Sequence, residues 1–205
     1  LQEIAEIQAM GQASPDGSAA AIRAAEASGR LPPAATATLH DADLVSKGRL
    51  EYPPNGARIQ DVRIETPDGR RVNVLRRGED YLLRYAVTFE RDAEQVLWLM
   101  VFRTLQGYAL GGLGSHRLSR YEPRVPAGAV AEVAFRFTCR LFGGTYLINC
   151  GVTGNHFGER RYLHRIIDAA MFRVEAEPDV PSGGHVDFGL EPTVSFRDAA
   201  VARTG

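Results

Sequence analysis

From about Arg49 onward the sequence is a succession of short alternating runs, each closed by Pro, Gly, Asn or Asp, with no long amphipathic helix between them. ARIQDVRIET (57–66) ends in the turn residues Pro67, Asp68 and Gly69, and RRVNVL follows it. Then come YLLRYAVTF (81–89), VLWLMVFRT (96–104), a glycine-rich GYALGGLGSHRL (107–118), RRYLHRII (160–167), AAMFRVEAE (169–177) and a short GHVDFGL (184–190). This grammar predicts an all-β fold, an antiparallel β-sandwich of jelly-roll or immunoglobulin-like type, and argues against βαβ units. VLWLMVF is apolar at both parities, so it is expected in a central position covered on both faces. The glycines of GGLGSH are expected to permit a bulge or close backbone packing.

Residues 1–47 differ in composition. LQEIAEIQAM and AAAIRAAEASG carry helical spacing, whereas GQASPDGS and GRLPPAATAT are linker-like. The expected organisation is a tether with short helical segments over 1–47, a sandwich over 48–177, and a linker with a terminal strand over 178–205. The chain begins at Leu1, which suggests a piece of a longer protein. With 24 basic against 25 acidic residues there is no broad positive field, so nucleic acid is not an expected partner. No apolar run approaches the roughly 18 residues of a membrane span.

Cys139 and Cys150 do not make a disulfide framework and are read as reduced core thiols. The single lysine, Lys47, is followed by Gly48, so no phosphate-binding loop is present. His40, His116, His156, His164 and His185 show none of the pairings of a metal site, and no nucleophile elbow or paired acids stand out. Neither metal, cofactor nor catalysis is expected of this chain.

FRFTCRLFGGTYLINCGV (135–152) reads as a hairpin turning at Gly143-Gly144. Phe135, Phe137, Cys139, Leu141, Tyr146, Ile148, Cys150 and Val152 would form its buried face. In that register Thr138 faces Asn149 and Arg136 faces Gly151, leaving a hollow beside Arg136, with Arg140 next along the strand.

The order of these features resembles one family. The turn-strand ARIQDVRIETPDGR, a Leu-x-x-Gly-x-Tyr element (Leu141, Gly144, Tyr146), the strand Asp168, Ala170, Phe172, Val174 and a Gly-Leu closure are similar to the C-terminal domain of Wzt-type ATP-binding subunits of polysaccharide ABC exporters. The resemblance implies a non-catalytic, cytoplasmic carbohydrate-binding module at the inner face of the inner membrane. Its partners would be lipid-linked O-antigen polysaccharide, a second copy in a homodimer, and the transmembrane subunit reached through a parent ATPase domain.

Sugars ask for bidentate polar partners for their hydroxyls and flat apolar or aromatic surfaces for their C–H faces. The polar face of the expected hairpin offers Arg136, Thr138, Arg140, Asn149 and Gly151, and a neighbouring strand adds Arg84 and Thr88. His156 and Tyr162, with Tyr108 and Phe157, are loop or edge candidates for stacking. Trp98 shares parity with Met100 and Phe102 and is read as core. The alternatives are a dimerisation or docking module whose terminal strand is laid on its own sheet or exchanged with a second copy, and a glycan-processing enzyme.

Overall fold

A computed structural model describes residues 39–116, 122–156 and 159–196. Among them are eleven strands and no helix, hence none long and apolar enough to cross a membrane. The strands are β1 (Leu50–Glu51), β2 (Ala57–Glu65), β3 (Arg71–Val72), β4 (Val74–Leu75), β5 (Asp80–Phe89), β6 (Ala93–Thr104), β7 (Ala109–Gly114), β8 (Glu122–Val125), β9 (Val130–Thr138), β10 (Gly144–His156) and β11 (Glu159–Val174). A seven-stranded sheet runs β1-β11-β10-β6-β7, with β4 on β11 and β8 on β6; a four-stranded sheet runs β3-β2-β5-β9. Every pairing is antiparallel except the short β4–β11 contact. The expected all-β sandwich is what the chain forms.

Alternation decides which side chains enter the core. In β5, Tyr81, Leu83, Tyr85, Val87 and Phe89 are buried and the residues between them are partly exposed. They meet Val96, Trp98, Met100, Tyr146, Ile148, Cys150 and Phe172 from the larger sheet. Trp98 is thus a core residue. Two polar side chains cross between the layers: the Tyr85 hydroxyl donates to the Leu99 carbonyl at 3.2 Å, and His164 Nδ1 accepts from the Ile59 amide at 2.8 Å. β6 sits between β10 and β7/β8, and Leu97, Leu99 and Val101 on its outer side are buried as well as its inner residues. Both cysteines are free and buried, and burial raises both thiols above their ordinary range.

The expected 135–152 hairpin does not form. β9 pairs with β5 in the small sheet, whereas β10 pairs with β6 and β11 in the large one. Residues 139–143 carry the chain from one layer to the other, held by Cys139 N donating to the Glu79 carbonyl and Gly78 N donating to the Cys139 carbonyl, both at 2.8 Å. Gly143 is where the crossing chain passes the segment that follows β11: a Cβ there would lie 2.7 Å from Ala176 Cα. Close approach, not a hairpin turn, is the reason for glycine at this point.

Segment 39–49 lies along β11 and β3. Asn73 and Val74 donate backbone N–H to the Leu39 carbonyl, the Asn73 side chain exchanges hydrogen bonds with the Asp41 backbone, and Ser46 donates to Asp168 at 3.2 Å. It roofs a cavity of about 240 Å³ that includes Val62, Ile64, Val72 and Met171 in its walls. At the other end, Val186 makes one antiparallel bridge to Leu141, and no strand forms over 184–190.

Candidate functional site

The loss of the hairpin divides the expected platform between two opposite surfaces. On the outer face of the four-stranded sheet stand Arg84, Thr88, Arg136 and Thr138, and this sheet already engages all four. Asp80, directly across from Thr138, accepts from the Thr138 hydroxyl at 2.6 Å and from Arg136 at 2.7 Å. The threonine hydroxyl first, then the arginine, holds the Asp80 carboxyl below its usual range. Arg84 pairs with Glu65 at 2.7 Å, and Thr88 donates to Gln60 at 3.1 Å. This is a solvated, self-paired face, of the kind whose ion pairs are screened by water and add little to stability. Arg140 lies beyond β9, its guanidinium near Gly189 of the C-terminal segment.

Asn149 and Gly151 belong to β10, on the outer face of the seven-stranded sheet, so neither Asn149–Thr138 nor Gly151–Arg136 is a pair. Asn149 is 0% exposed, and its Oδ1 accepts from the Asp168 amide at 2.9 Å. The ladder is irregular there: Ile148 faces Ala170 and Cys150 faces Ile166, leaving an extra stretch of β11 in which Asp168 takes a φ of 51°. Asn149 satisfies the amide this bulge orphans, which is a structural task and leaves it out of reach of a ligand. Burial pushes the Asp168 carboxyl above its ordinary range, against the lowering influence of the Ser46 hydroxyl and Arg103.

Gly151 has a different role. Its cross-strand partners are Leu99 on one side and Arg165 on the other. The Tyr162 ring lies over it, so that a Cβ at 151 would stand 3.0 Å from Tyr162 Cε1. The Arg165 guanidinium carbon lies over two rings, 5.2 Å from the Tyr162 centroid and 5.6 Å from that of Tyr52. Tyr52 is brought there by its amide donating to the Arg165 carbonyl at 3.0 Å. Nearby, Arg160 donates to the Gln95 carbonyl at 3.2 Å and to the Thr153 hydroxyl at 3.1 Å. This face therefore presents two aromatic rings and a guanidinium, laid over Gly151 and the buried apolar row Leu97, Leu99 and Val101.

Of the expected residues, Gly151 and Tyr162 are brought together; Arg165 and Tyr52 were not foreseen. In a regular strand residues 162 and 165 point to opposite faces. Here Val152 pairs with His164 and Thr153 with Tyr162, so Leu163 is an extra residue that resets the alternation and turns both side chains outward. The run RRYLHRII contains no residue that announces this bulge. His156 ends β10 opposite Glu159, on the same strand as Gly151. Tyr108 is exposed on the β6–β7 turn, away from this cluster in sequence and pairing, and Phe157 lies outside the described residues. Among the described residues no three His, Cys, Asp or Glu side chains gather as a metal ion would need.

No protein of curated function matches the sequence. Among solved structures, the fold is similar to the crystal structure of the C-terminal domain of Wzt, with a TM-score of 0.65 and 24% identity, covering 74% of this chain and 92% of that one. A second likeness, to the Pseudomonas fluorescens alkylpurine DNA glycosylase AlkC bound to DNA containing an abasic site analog, has a TM-score of 0.39 and 17% identity over 59% of this chain and 31% of that one, too slight to bear on fold or function. The sequence profile of the Wzt C-terminal domain matches residues 50–188. That span is more than half of the chain and includes every strand of the sandwich, so the protein belongs to the family of Wzt C-terminal domains, non-catalytic domains of polysaccharide ABC exporters.

Proposed function

We propose that this domain is a carbohydrate-binding module that holds polysaccharide on the outer face of its seven-stranded sheet, centred on Tyr162, Arg165, Tyr52 and Gly151. The observation that carries this reading is the Arg165 guanidinium set over the Tyr52 and Tyr162 rings, with Tyr162 lying across Gly151. Aromatic faces suit the C–H faces of a pyranose, and a guanidinium fork suits vicinal hydroxyls. In the exporter, the polymer would be lipid-linked O-antigen, recognised on the cytoplasmic side before transport, with residues 1–47 as the tether to the ATPase domain that engages the transmembrane subunit. Calorimetric titration with the exporter's own polysaccharide is the test. Tyr162→Ala is expected to weaken binding about tenfold or more with folding intact; unchanged affinity would move the site elsewhere.

A second reading, assembly, is favoured by a separate observation. After the Val186 bridge the chain carries Phe188, Leu190, Val194 and Phe196, all on even positions and 75–95% exposed. Beside this segment, Phe102, Leu110, Phe137 and Leu141 line an apolar cleft of about 160 Å³ between β7 and β9. Among the described residues β9 pairs only with β5, so its other edge is open. A terminal segment exchanged with a second copy would cover that edge and the exposed apolar residues together. Light scattering should then show a dimer that becomes a monomer when residues 184–205 are deleted; a dimer that survives the deletion contradicts exchange.

A further inference from the structure

Tyr52 is carried by residues 39–55, an edge strip in which no residue is buried; the buried residues begin at Gly56. The strip is held on β11 and its neighbours mainly by hydrogen bonds. At the Tyr52 end, β1 pairs Leu50 with Ile167 and Glu51 with Ile166, and the Asn55 amide donates to the Leu163 carbonyl at 2.7 Å. At the far end, the Asp41 amide donates to Asn73 Oδ1 at 2.7 Å. Between the two ends, Asp168 of β11 acts as a catch. Its carboxylate accepts from the Ser46 hydroxyl, whose oxygen accepts in turn from the Gly48 amide at 3.1 Å. A Cβ on Gly48 would lie 2.9 Å from Asp168 Oδ2, so glycine is what lets the strip close over the carboxylate. Beside it, Arg49 Nη1 donates to the Ala169 carbonyl at 2.9 Å. From the other side Asn149 accepts from the Asp168 amide, fixing a residue whose φ of 51° an L side chain rarely adopts.

We infer that residues 39–55 dock on β11 and release as a unit, with Asp168 as the catch, and that polysaccharide on the seven-stranded face favours the docked state. The inference rests on the glycan-binding reading above and adds a regulation to it. A strip joined to its sheet mainly by hydrogen bonds at the surface opens at lower free energy than the core beneath it. The Tyr52 ring meets Arg165 only while the strip is docked, because the Tyr52 amide on the Arg165 carbonyl is what places it there. Polysaccharide that touches Tyr52 therefore gains a contact in the docked state that the released state lacks. Such a difference is what shifts an equilibrium. The linkage is reciprocal: closing the catch tightens binding by the same factor by which binding tightens the catch. The strip leads directly back into residues 1–38, so occupancy of the sheet face is expressed where those residues enter the domain.

The test is hydrogen exchange of the full chain, followed amide by amide with and without the exporter's own polysaccharide. The Asp41 and Gly48 amides are the reporters, since both lie outside the cluster of Tyr52, Arg165 and Tyr162. In the free protein both should exchange faster than the amides of β5, and saturating polysaccharide should slow them about tenfold. Gly48→Ala, which forces a Cβ against the catch, should speed exchange at Asp41 and weaken polysaccharide affinity about fivefold or more at an unchanged thermal midpoint. Ser46→Ala, which removes the donor and adds no atom, should act in the same direction and replaces Gly48→Ala if that variant lowers the midpoint. Tyr52→Ala should remove the slowing even at polysaccharide concentrations that saturate the variant. Polysaccharide that binds in calorimetry without slowing either reporter overturns the inference and leaves the glycan reading intact. Reporters that exchange no faster than β5 in the free protein overturn it too, as does a loosened strip that binds polysaccharide with the parent affinity. Exchange at Asp41 that is unchanged in both catch variants overturns the role of Asp168. An absence of polysaccharide binding overturns the glycan reading and the coupling with it.

Discussion

Phe172→Ala is expected to lower unfolding stability by about 3–5 kcal/mol, read as a fall in the denaturant midpoint at unchanged slope. Phe172 is 0% exposed and joins the two layers through one aromatic chain. Its ring lies 5.6 Å from that of its cross-strand partner Tyr146 and 5.8 Å from Phe102, which in turn meets Phe137 of the small sheet at 5.0 Å, edge-on. Truncation removes a large apolar side chain where four strands, β6, β9, β10 and β11, converge, and β-sheet backbones cannot collapse far to refill the space. A loss of under about 1 kcal/mol would mean that the aromatic chain does not hold the layers together.

His164 carries the second large effect, and it has a pH signature. The ring is buried, its Nδ1 accepts from the Ile59 amide, and the proton of the neutral imidazole therefore resides on Nε2, 3.5 Å from Glu51. Burial depresses the His164 pKa below its ordinary 6.5; Glu51 opposes that shift, and the nearby Arg58 and Arg49 add to it. Because the unfolded chain binds the proton more readily, stability is fully present above about pH 6.5 and falls as the pH drops from there toward the depressed folded value. Denaturant titrations between pH 7.5 and pH 5 should show that decline. His164→Asn, which keeps an acceptor for Ile59 and does not titrate, should flatten it. His164→Ala should cost about 1–3 kcal/mol at pH 7.5, chiefly from the orphaned Ile59 amide. A stability that is level over this interval in the parent protein contradicts the assignment.

The parts of this fold that were readable in the sequence are those that depend on one strand at a time. Alternation in YLLRYAVTF named the core face of β5, and the two-sided apolarity of VLWLMVF placed β6 in the middle of its sheet. What alternation does not carry is the identity of the neighbour. β9 and β10 each have the pattern of a hairpin arm, yet the five residues 139–143 are enough to take the chain across the sandwich, so two sound strand assignments gave a wrong pairing. Arg84, Thr88, Arg136 and Thr138 were correctly grouped on one face, but their ion pairs and the opposite side of the molecule separate them from Gly151 and Tyr162. Asn149 looked like a surface amide because nothing in the sequence marks the Asp168 bulge that consumes it. The same blindness to bulges hid Arg165 behind Leu163. Family resemblance reached further than residue patterning because it compares the order of all the strands at once.

On the proposed function, polysaccharide sits on the seven-stranded face and not on the four-stranded one. Backbone amide shift mapping of the chain titrated with the exporter's polysaccharide tests it directly. The signals of Gly151, Thr153, Tyr162 and Arg165 are predicted to move together with increasing ligand, while those of Arg84, Thr88, Arg136 and Thr138 stay in place. Movement confined to the latter four would contradict the account.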